Sequence, residues 1–235
     1  MILEVHADAP AAARAAAALL CGCVGASRGE VHVALSAGRA VTAMLEALPD
    51  VAARRGPDWS RTTWIVADER AVPTHDTRRN DAVIARGLAR VDAHAERDGR
   101  LVRMAPETGA TQAVRTLTDR LAHITTLDLA MLGLGDDGHV ASLFPGHRAL
   151  DAAGVAVHLD DAPADPAGRT TLTLGWLSGA RERVVVTAGH AKRDAIAGLV
   201  RGADLPVTRW RPTWVVLDAA ALPDGTDERL VRRAG

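Results

Sequence analysis

Seven short, mostly apolar runs punctuate the chain, and stretches with helical spacing fill many of the intervals between them. The runs are VHVALS (31–36), TTWIVAD (62–68), LVRM (101–104), LDLAMLGL (127–134), TTLTL (170–174), RVVVTA (183–188) and TWVVLD (213–218). Helical patterns cover 8–22, 39–49, 78–91, 110–123 and 190–201. Strands of near-continuous Val, Ile, Leu and Ala are buried on both faces, which requires a mostly parallel sheet covered by helices. The alternation predicts a doubly wound, Rossmann-like α/β fold with helices on both faces of the sheet. No internal repeat and no linker rich in Pro, Gly or Ser divides the chain, so residues 1–235 read as a single domain, with DDAPADPAG (160–168) as a loop. Open parallel sheets bind ligands outside the carboxyl ends of their strands, where the strand order switches. Polar clusters stand at several such ends: SAGR, DER, GDDGH and GHAK.

The balance of charge narrows the partners. A formal net charge of −1 supplies no long-range attraction for nucleic acid or an anionic membrane surface. No apolar run is read as approaching the roughly 20 residues that cross a bilayer, and the first residues lack the basic start of a secretory signal. A cytoplasmic protein, monomeric or weakly dimeric, is the expectation. Cys21 and Cys23 lie in a CGC pair that suits packed or partly exposed free thiols better than a disulfide framework or a zinc site. Of 28 basic residues, Lys192 alone is a lysine. An ammonium differs from a guanidinium in size, hydration and geometry, so a single survivor invites a chemical reason.

Four junctions carry candidate chemistry. In GLGDDGH, Gly133, Gly135 and Gly138 allow tight turns and close approach of a ligand. His139 follows, with an unperturbed pKa of about 6.5 suited to taking a proton. Asp136 and Asp137 stand close enough to orient its ring. The plain alternative is a turn whose acids cap a helix. The SAGRA loop opens a helix, and its free N–H groups and dipole suit a phosphate, with Ser36 and Gly38 in the turn and Arg39 beside it. An ordinary strand-to-helix turn would look the same. Asp68, Glu69 and Arg70 end a strand, either as a modest ion pair or with Arg70 turned to a substrate oxygen. Lys192 sits in the first turn of a helix, where a cation opposes the dipole unless an anion lies nearby. Arg169 arrives from a polar loop with the same two readings. HExxH and CxxC are lacking, so no metal ligand set is assigned.

Together these segments resemble the 6-phosphogluconolactonase family, the sugar-phosphate lactonases of the oxidative pentose phosphate pathway, over blocks from about residue 31 to 221. LGLGDDGHVASLFPGH resembles the family's Gly-x-Gly-x-Asp-Gly-His-x-Ala-Ser-Leu-Phe-Pro-Gly motif, and WIVADERAVP with RRND resembles its Asp-Glu-Arg block. RTTLTLGWLSGAR, GHAK and WVVLDAAAL follow in order. The resemblance implies hydrolysis of 6-phospho-D-glucono-1,5-lactone to 6-phosphogluconate, without metal or organic cofactor. It makes His139 the general base, oriented by Asp137 or Asp68. It gives Arg70, Arg169 and Lys192 the phosphate or the developing oxyanion, and Ser36 with Gly38 the loop contacts. Two segments depart from the family, one of them the loop before Arg169, which reads APADPAG without the Lys-Pro often found there. LSAGRAV stands where Leu-Ser-Gly-Gly-Ser-Thr-Pro is usual, so a hydroxyl contact is lost and Arg39 is introduced. Glucosamine-6-phosphate deaminase, on a related fold, resembles Ile-Ala-Phe-Asn-Glu-Pro after its histidine, whereas VASLFPG here has no acid. A sugar-phosphate-binding protein without catalysis is the third alternative.

Overall fold

The computed structural model describes residues 1–233. The chain begins with β1 (Ile2–His6), α1 (Ala9–Ala26), β2 (Val31–Leu35), α2 (Arg39–Arg55), β3 (Thr62–Val66) and β4 (Asp68–Arg70). It continues through α3 (Asn80–Leu88), β5 (Leu101–Val102), α4 (Ala110–Leu121), β6 (Leu129–Leu132), β7 (Ala156–Leu159) and β8 (Arg169–Leu172). It closes with α5 (Leu174–Ser178), β9 (Glu182–Val186), α6 (Arg193–Val200), α7 (Pro206–Trp210), β10 (Trp214–Asp218) and β11 (Val231–Arg233).

Eight strands form one sheet in the order β11-β1-β10-β9-β6-β2-β3-β5, and every pairing within it is parallel. Helices flank it, so the fold is the doubly wound α/β type. From β2 the chain adds strands toward β5; it then returns to β6 and adds β9 and β10 on the opposite side. The reversal between β2 and β6 leaves two adjacent loops diverging above the sheet, and their divergence opens a crevice. The central strands are apolar along their whole length because neither face meets water: Leu129, Ala130, Met131 and Leu132 are all fully buried.

Several elements differ from the sequence expectation. TTLTL is not part of the parallel sheet. Its first three residues, with Arg169, form β8, which pairs antiparallel with β4 and β7 in a separate three-stranded sheet, while Thr173 caps α5 and Leu174 opens it. An alternating threonine pattern suits either setting, and only long-range pairing chooses. Leu172, Ala156 and Leu159 of this small sheet join the same hydrophobic cluster as the central strands. The strands β1, β7 and β11 and, Leu174 apart, the helices α5 and α7 lie outside the expected runs; each is only three to five residues long. The helix α1, 18 residues long with mean hydropathy 1.5, is long and apolar enough by composition for a membrane span. This corrects the expectation that no run approaches that length; alanine-rich residues read as helix formers are also apolar. In the fold α1 buries Ala12, Ala13, Ala16, Ala17, Leu20, Cys21 and Val24 and packs on α2 and β10. Cys21 is buried, Cys23 half-buried, and desolvation pushes the Cys23 thiol up to about 11, with the Glu182 and Asp128 charges adding to it. Thiolate chemistry is disfavoured there.

The Asp-Glu-Arg block is a strand in its own right, and its period of two sends its side chains to opposite faces. Glu69, fully buried, turns toward α3. Its carboxylate accepts from the N–H groups of Asn80 and Asp81 at 2.8 Å each, which caps the first turn of α3, and from Arg70 N. Asn80 Nδ2 donates in return to the Asp68 carbonyl. Arg79, equally buried, pairs with Asp81 and Glu107 at 2.7 Å, and Asp81 pairs with Arg103 at 2.9 Å. This network locks β4 to α3. Burial pushes the Glu69 carboxyl from 4.5 up to about 7, against the pull of its three donors. Between those values the folded protein keeps a proton that the unfolded chain has released, so this site opposes folding increasingly as pH rises through the window. Denaturant unfolding of the wild type and Glu69→Gln at pH 5, 6 and 7 should therefore show the stability of the wild type falling relative to the variant. A difference that stays constant with pH would contradict the assignment.

Candidate active site

The loops after β2 and β6 meet at the switch point and are tied together there. Gly133 N donates to Ser36 Oγ at 2.9 Å, and the hydroxyl is buried. Gly38, at φ 148°, precedes the first residue of α2, so Arg39 opens that helix at the crevice rim.

After β6 the chain folds back on itself: Gly135 N donates to the His139 carbonyl at 2.9 Å, and Gly138 takes φ +86°. A Cβ on Gly135 would lie 2.0 Å from His139 Nδ1 and 2.6 Å from Asp137 Oδ1, so only glycine permits the turn to hold this ring. Asp137 Oδ1 accepts from His139 N at 3.0 Å and stands 2.6 Å from His139 Nδ1. A carboxylate at Nδ1 favours the Nδ1–H tautomer and leaves Nε2 as the basic nitrogen. The imidazole is about one-third exposed. One of its sides rests on Phe144, ring centroids 4.7 Å apart, and the Arg169 guanidinium lies 5.7 Å from the same phenyl centroid. Phe144 is the chain's only phenylalanine.

The crevice is a cleft of about 900 Å³. Ser36, Gly38, Arg39, Arg70, Asp137, His139 and Lys192 all line it. Asp68 and Arg169 do not; they form a buried layer behind it. Asp68 Oδ2 accepts from Ser142 Oγ at 2.8 Å, while its Oδ1 has no hydrogen-bond partner. Of the two acids expected to orient His139, Asp137 touches the ring and Asp68 binds Ser142. Arg169 donates to the carbonyls of Pro166 and Asp165, and Nη1 reaches Ser142 Oγ at 3.5 Å. Burial pulls its pKa below the usual value, and the Asp68 charge partly restores it. Arg70 and Arg169 sit directly opposite across β4 and β8, a like-charge pair that costs stability unless an anion lies close. Arg70 Nη1 donates to the Arg78 carbonyl, and Arg70 Nε is buried without a partner.

Lys192 ends the turn His190–Lys192 and stands at the start of α6. Its conflict with the helix dipole is relieved internally: Nζ donates to the Leu134 carbonyl and pairs with Asp136 Oδ1 at 2.6 Å. The loop that carries it is pinned by Asp218 Oδ1, which accepts from Gly189 N at 2.9 Å. The roles of Asp136, Ser142, Phe144 and Asp218 depend on contacts between distant segments. The singular phenylalanine was the one signal present in the sequence. Among the described residues no three His, Cys, Asp or Glu side chains gather as a metal-holding group.

The switch-point crevice sets a carboxylate–histidine pair beside several cations, and comparison with known proteins gives the class of α/β protein to which it belongs. Residues 7–218 match the family described as glucosamine-6-phosphate isomerases/6-phosphogluconolactonase, and the chain belongs to that family. A 6-phosphogluconolactonase of Streptomyces coelicolor is 35% identical over 244 aligned positions, covering 93% of each chain. The crystal structure of 6-phosphogluconolactonase from Leishmania guyanensis superposes with a TM-score of 0.78 at 20% identity, covering 94% of this chain and 97% of that one. A monomeric glucosamine-6-phosphate deaminase gives the same TM-score of 0.78 at 16% identity, covering 94% and 98%. The backbone alone therefore does not separate the two activities; the side chains in the cleft must.

Ser142→Ala would leave the buried Asp68 carboxylate without its hydroxyl donor. We expect a loss of roughly 1–3 kcal/mol in denaturant unfolding. A change within about 0.5 kcal/mol, the range of substitutions that break nothing, would show that Asp68 does not depend on that bond.

Proposed function

We propose that the chain hydrolyses 6-phospho-D-glucono-1,5-lactone to 6-phosphogluconate, with His139 as general base. The observation that carries the reading is the Asp137–His139 pair, 2.6 Å apart, set in a cleft that also presents Lys192, Arg39 and Arg70. Asp137 holds the Nδ1 proton and favours the imidazolium as it forms. His139 Nε2 takes a proton from water as the oxygen adds to the lactone carbonyl. The tetrahedral oxyanion then expels the ring oxygen, which receives that proton. One positioned base contributes roughly 10² to 10⁴-fold, and donors aimed at the oxyanion supply a further share. Phe144 under the imidazole restrains its tilt and limits water on that side.

The cations divide between the two ends of such a substrate. Lys192 and Arg39 stand on the loops after β9 and β2, where a phosphate dianion would gain charge-assisted hydrogen bonds. Arg39 replaces the hydroxyl contacts that LSAGRAV lacks. Arg70, with a free buried Nε, faces the carbonyl end, and Arg169 supports it from behind Phe144. The segment from Val140 to Gly146 contributes Ala141 and Phe144 to the cleft and no acid, which favours lactone hydrolysis over ring opening and deamination of an amino sugar.

Fresh lactone, assayed at controlled pH against its spontaneous hydrolysis, tests the reading; release of ammonia from glucosamine 6-phosphate in its place would overturn it. His139→Ala should lower kcat/KM by roughly 10² to 10⁴-fold while leaving the circular dichroism spectrum intact. Wild-type turnover in that variant would refute the base assignment. Lys192→Ala should raise KM for the phosphorylated lactone roughly tenfold or more and affect unphosphorylated gluconolactone far less. Equal losses on both substrates would remove the phosphate from Lys192.

A further inference from the structure

Asp136 and Asp137 are neighbours in sequence, yet their carboxylates serve different partners. Asp137 holds the histidine. Asp136 Oδ1 lies 2.6 Å from Lys192 Nζ, and the two groups differ sharply in exposure: the lysine side chain is 13% exposed and the aspartate 63%. The ammonium is thus sunk in the wall of the cleft, anchored from behind by the Leu134 carbonyl, with the carboxylate standing over it in the mouth. Hydrogen bonding to Lys192 holds the Asp136 carboxyl below the usual range, and the charges of Lys192, Arg39 and His139 act in the same direction. One solvated carboxylate therefore sits among the cations that a bound phosphate would need.

We propose that Asp136 is a built-in counter-anion of the phosphate subsite, holding Lys192 aimed into the cleft while the site is empty and competing with the phosphate for that ammonium. Asp136 is a positioning residue, since it acts through Lys192. An ammonium has three donors; two are engaged by Leu134 and Asp136. A phosphate must share or displace the Asp136 contact, and it brings nearly two negative charges at neutral pH. The inference takes the identity of the phosphate ligand from the proposed lactonase activity, although the competition itself does not require turnover. Hydrolysis of the lactone creates a carboxylate, so the product carries one more negative charge than the substrate. A carboxylate kept in the mouth opposes the product more than the substrate, which makes Asp136 a device that exchanges affinity for release.

The test is a calorimetric titration of inorganic phosphate and of 6-phosphogluconate into the full chain, Asp136→Asn, Asp136→Glu, Lys192→Gln and the Asp136→Asn/Lys192→Gln double variant. Asp136→Asn should bind phosphate roughly fivefold more tightly or better than the wild type, the scale set by losing one half-exposed ion pair and one repulsion with a dianion. The gain should shrink between low and high ionic strength. Asp136→Glu, which restores the charge, should return affinity toward the wild type, and the gain should shrink in the Lys192→Gln background, where only the direct repulsion is left to relieve. In the lactone assay Asp136→Asn should lower KM and also lower kcat as product leaves more slowly, a split that simple loss of structure does not produce. Unchanged or weaker phosphate binding in Asp136→Asn, no phosphate binding by either protein, or a gain just as large without Lys192 would each overturn the proposal. A wild type that binds phosphate but turns over no lactone would defeat the lactonase reading while leaving the Asp136 competition to be decided by the titration.

Discussion

Between β2 and β6 the chain reverses the direction in which it adds strands, and the hydrogen bond from Gly133 N to Ser36 Oγ holds the two resulting loops at a fixed separation. Everything chemical in the molecule is hung from that point. The loop after β2 delivers Arg39, the loop after β6 delivers Asp136, Asp137 and His139, and the neighbouring loop after β9 delivers Lys192. A parallel sheet can do this because all its strands end on the same edge, so groups far apart in the chain arrive at one mouth.

The small antiparallel sheet supplies what the large one cannot, a rigid wall behind the histidine. Strand alternation sends Glu69 into α3 and turns Asp68 and Arg70 to the other face, where they meet β8. Arg70 and Arg169 are forced opposite each other, and their mutual repulsion is tolerated because Asp68 and several carbonyls lie close. The chain thus stores an excess of buried positive charge beside its cleft. Buried cations of this kind are costly unless paired, and an anionic ligand would complete the balance. Stability of the wall and affinity of the cleft are two sides of one electrostatic arrangement.

The two aspartates show how finely position divides function. Asp137 stands against the imidazole and Asp136 against the ammonium. Both come from adjacent residues of one turn, and the turn is possible because Gly135 leaves the space that any side chain would fill.

Much of this was legible in the chain itself. Continuous apolar runs such as LDLAML have one physical outcome, burial on both faces of a parallel sheet, and GDDGH after such a run places its histidine at the carboxyl edge. The glycine spacing made a close turn necessary, and a single lysine among arginines marked a site where the cation's shape matters. Other features had no local cause. TTLTL suits a strand in either sheet, so its partner was set by packing against β4. The expected pairing of His139 with Asp137 or Asp68 was decided by where β4 came to lie, which put Asp68 on Ser142. Local periodicity determined which segments would be strands and helices and which turns would carry the reactive groups, because burial and backbone sterics act within a few residues. Which charges meet across the cleft was decided only by the tertiary structure, because such a contact joins segments more than fifty positions apart, as where Lys192 meets Asp136 and the Leu134 carbonyl.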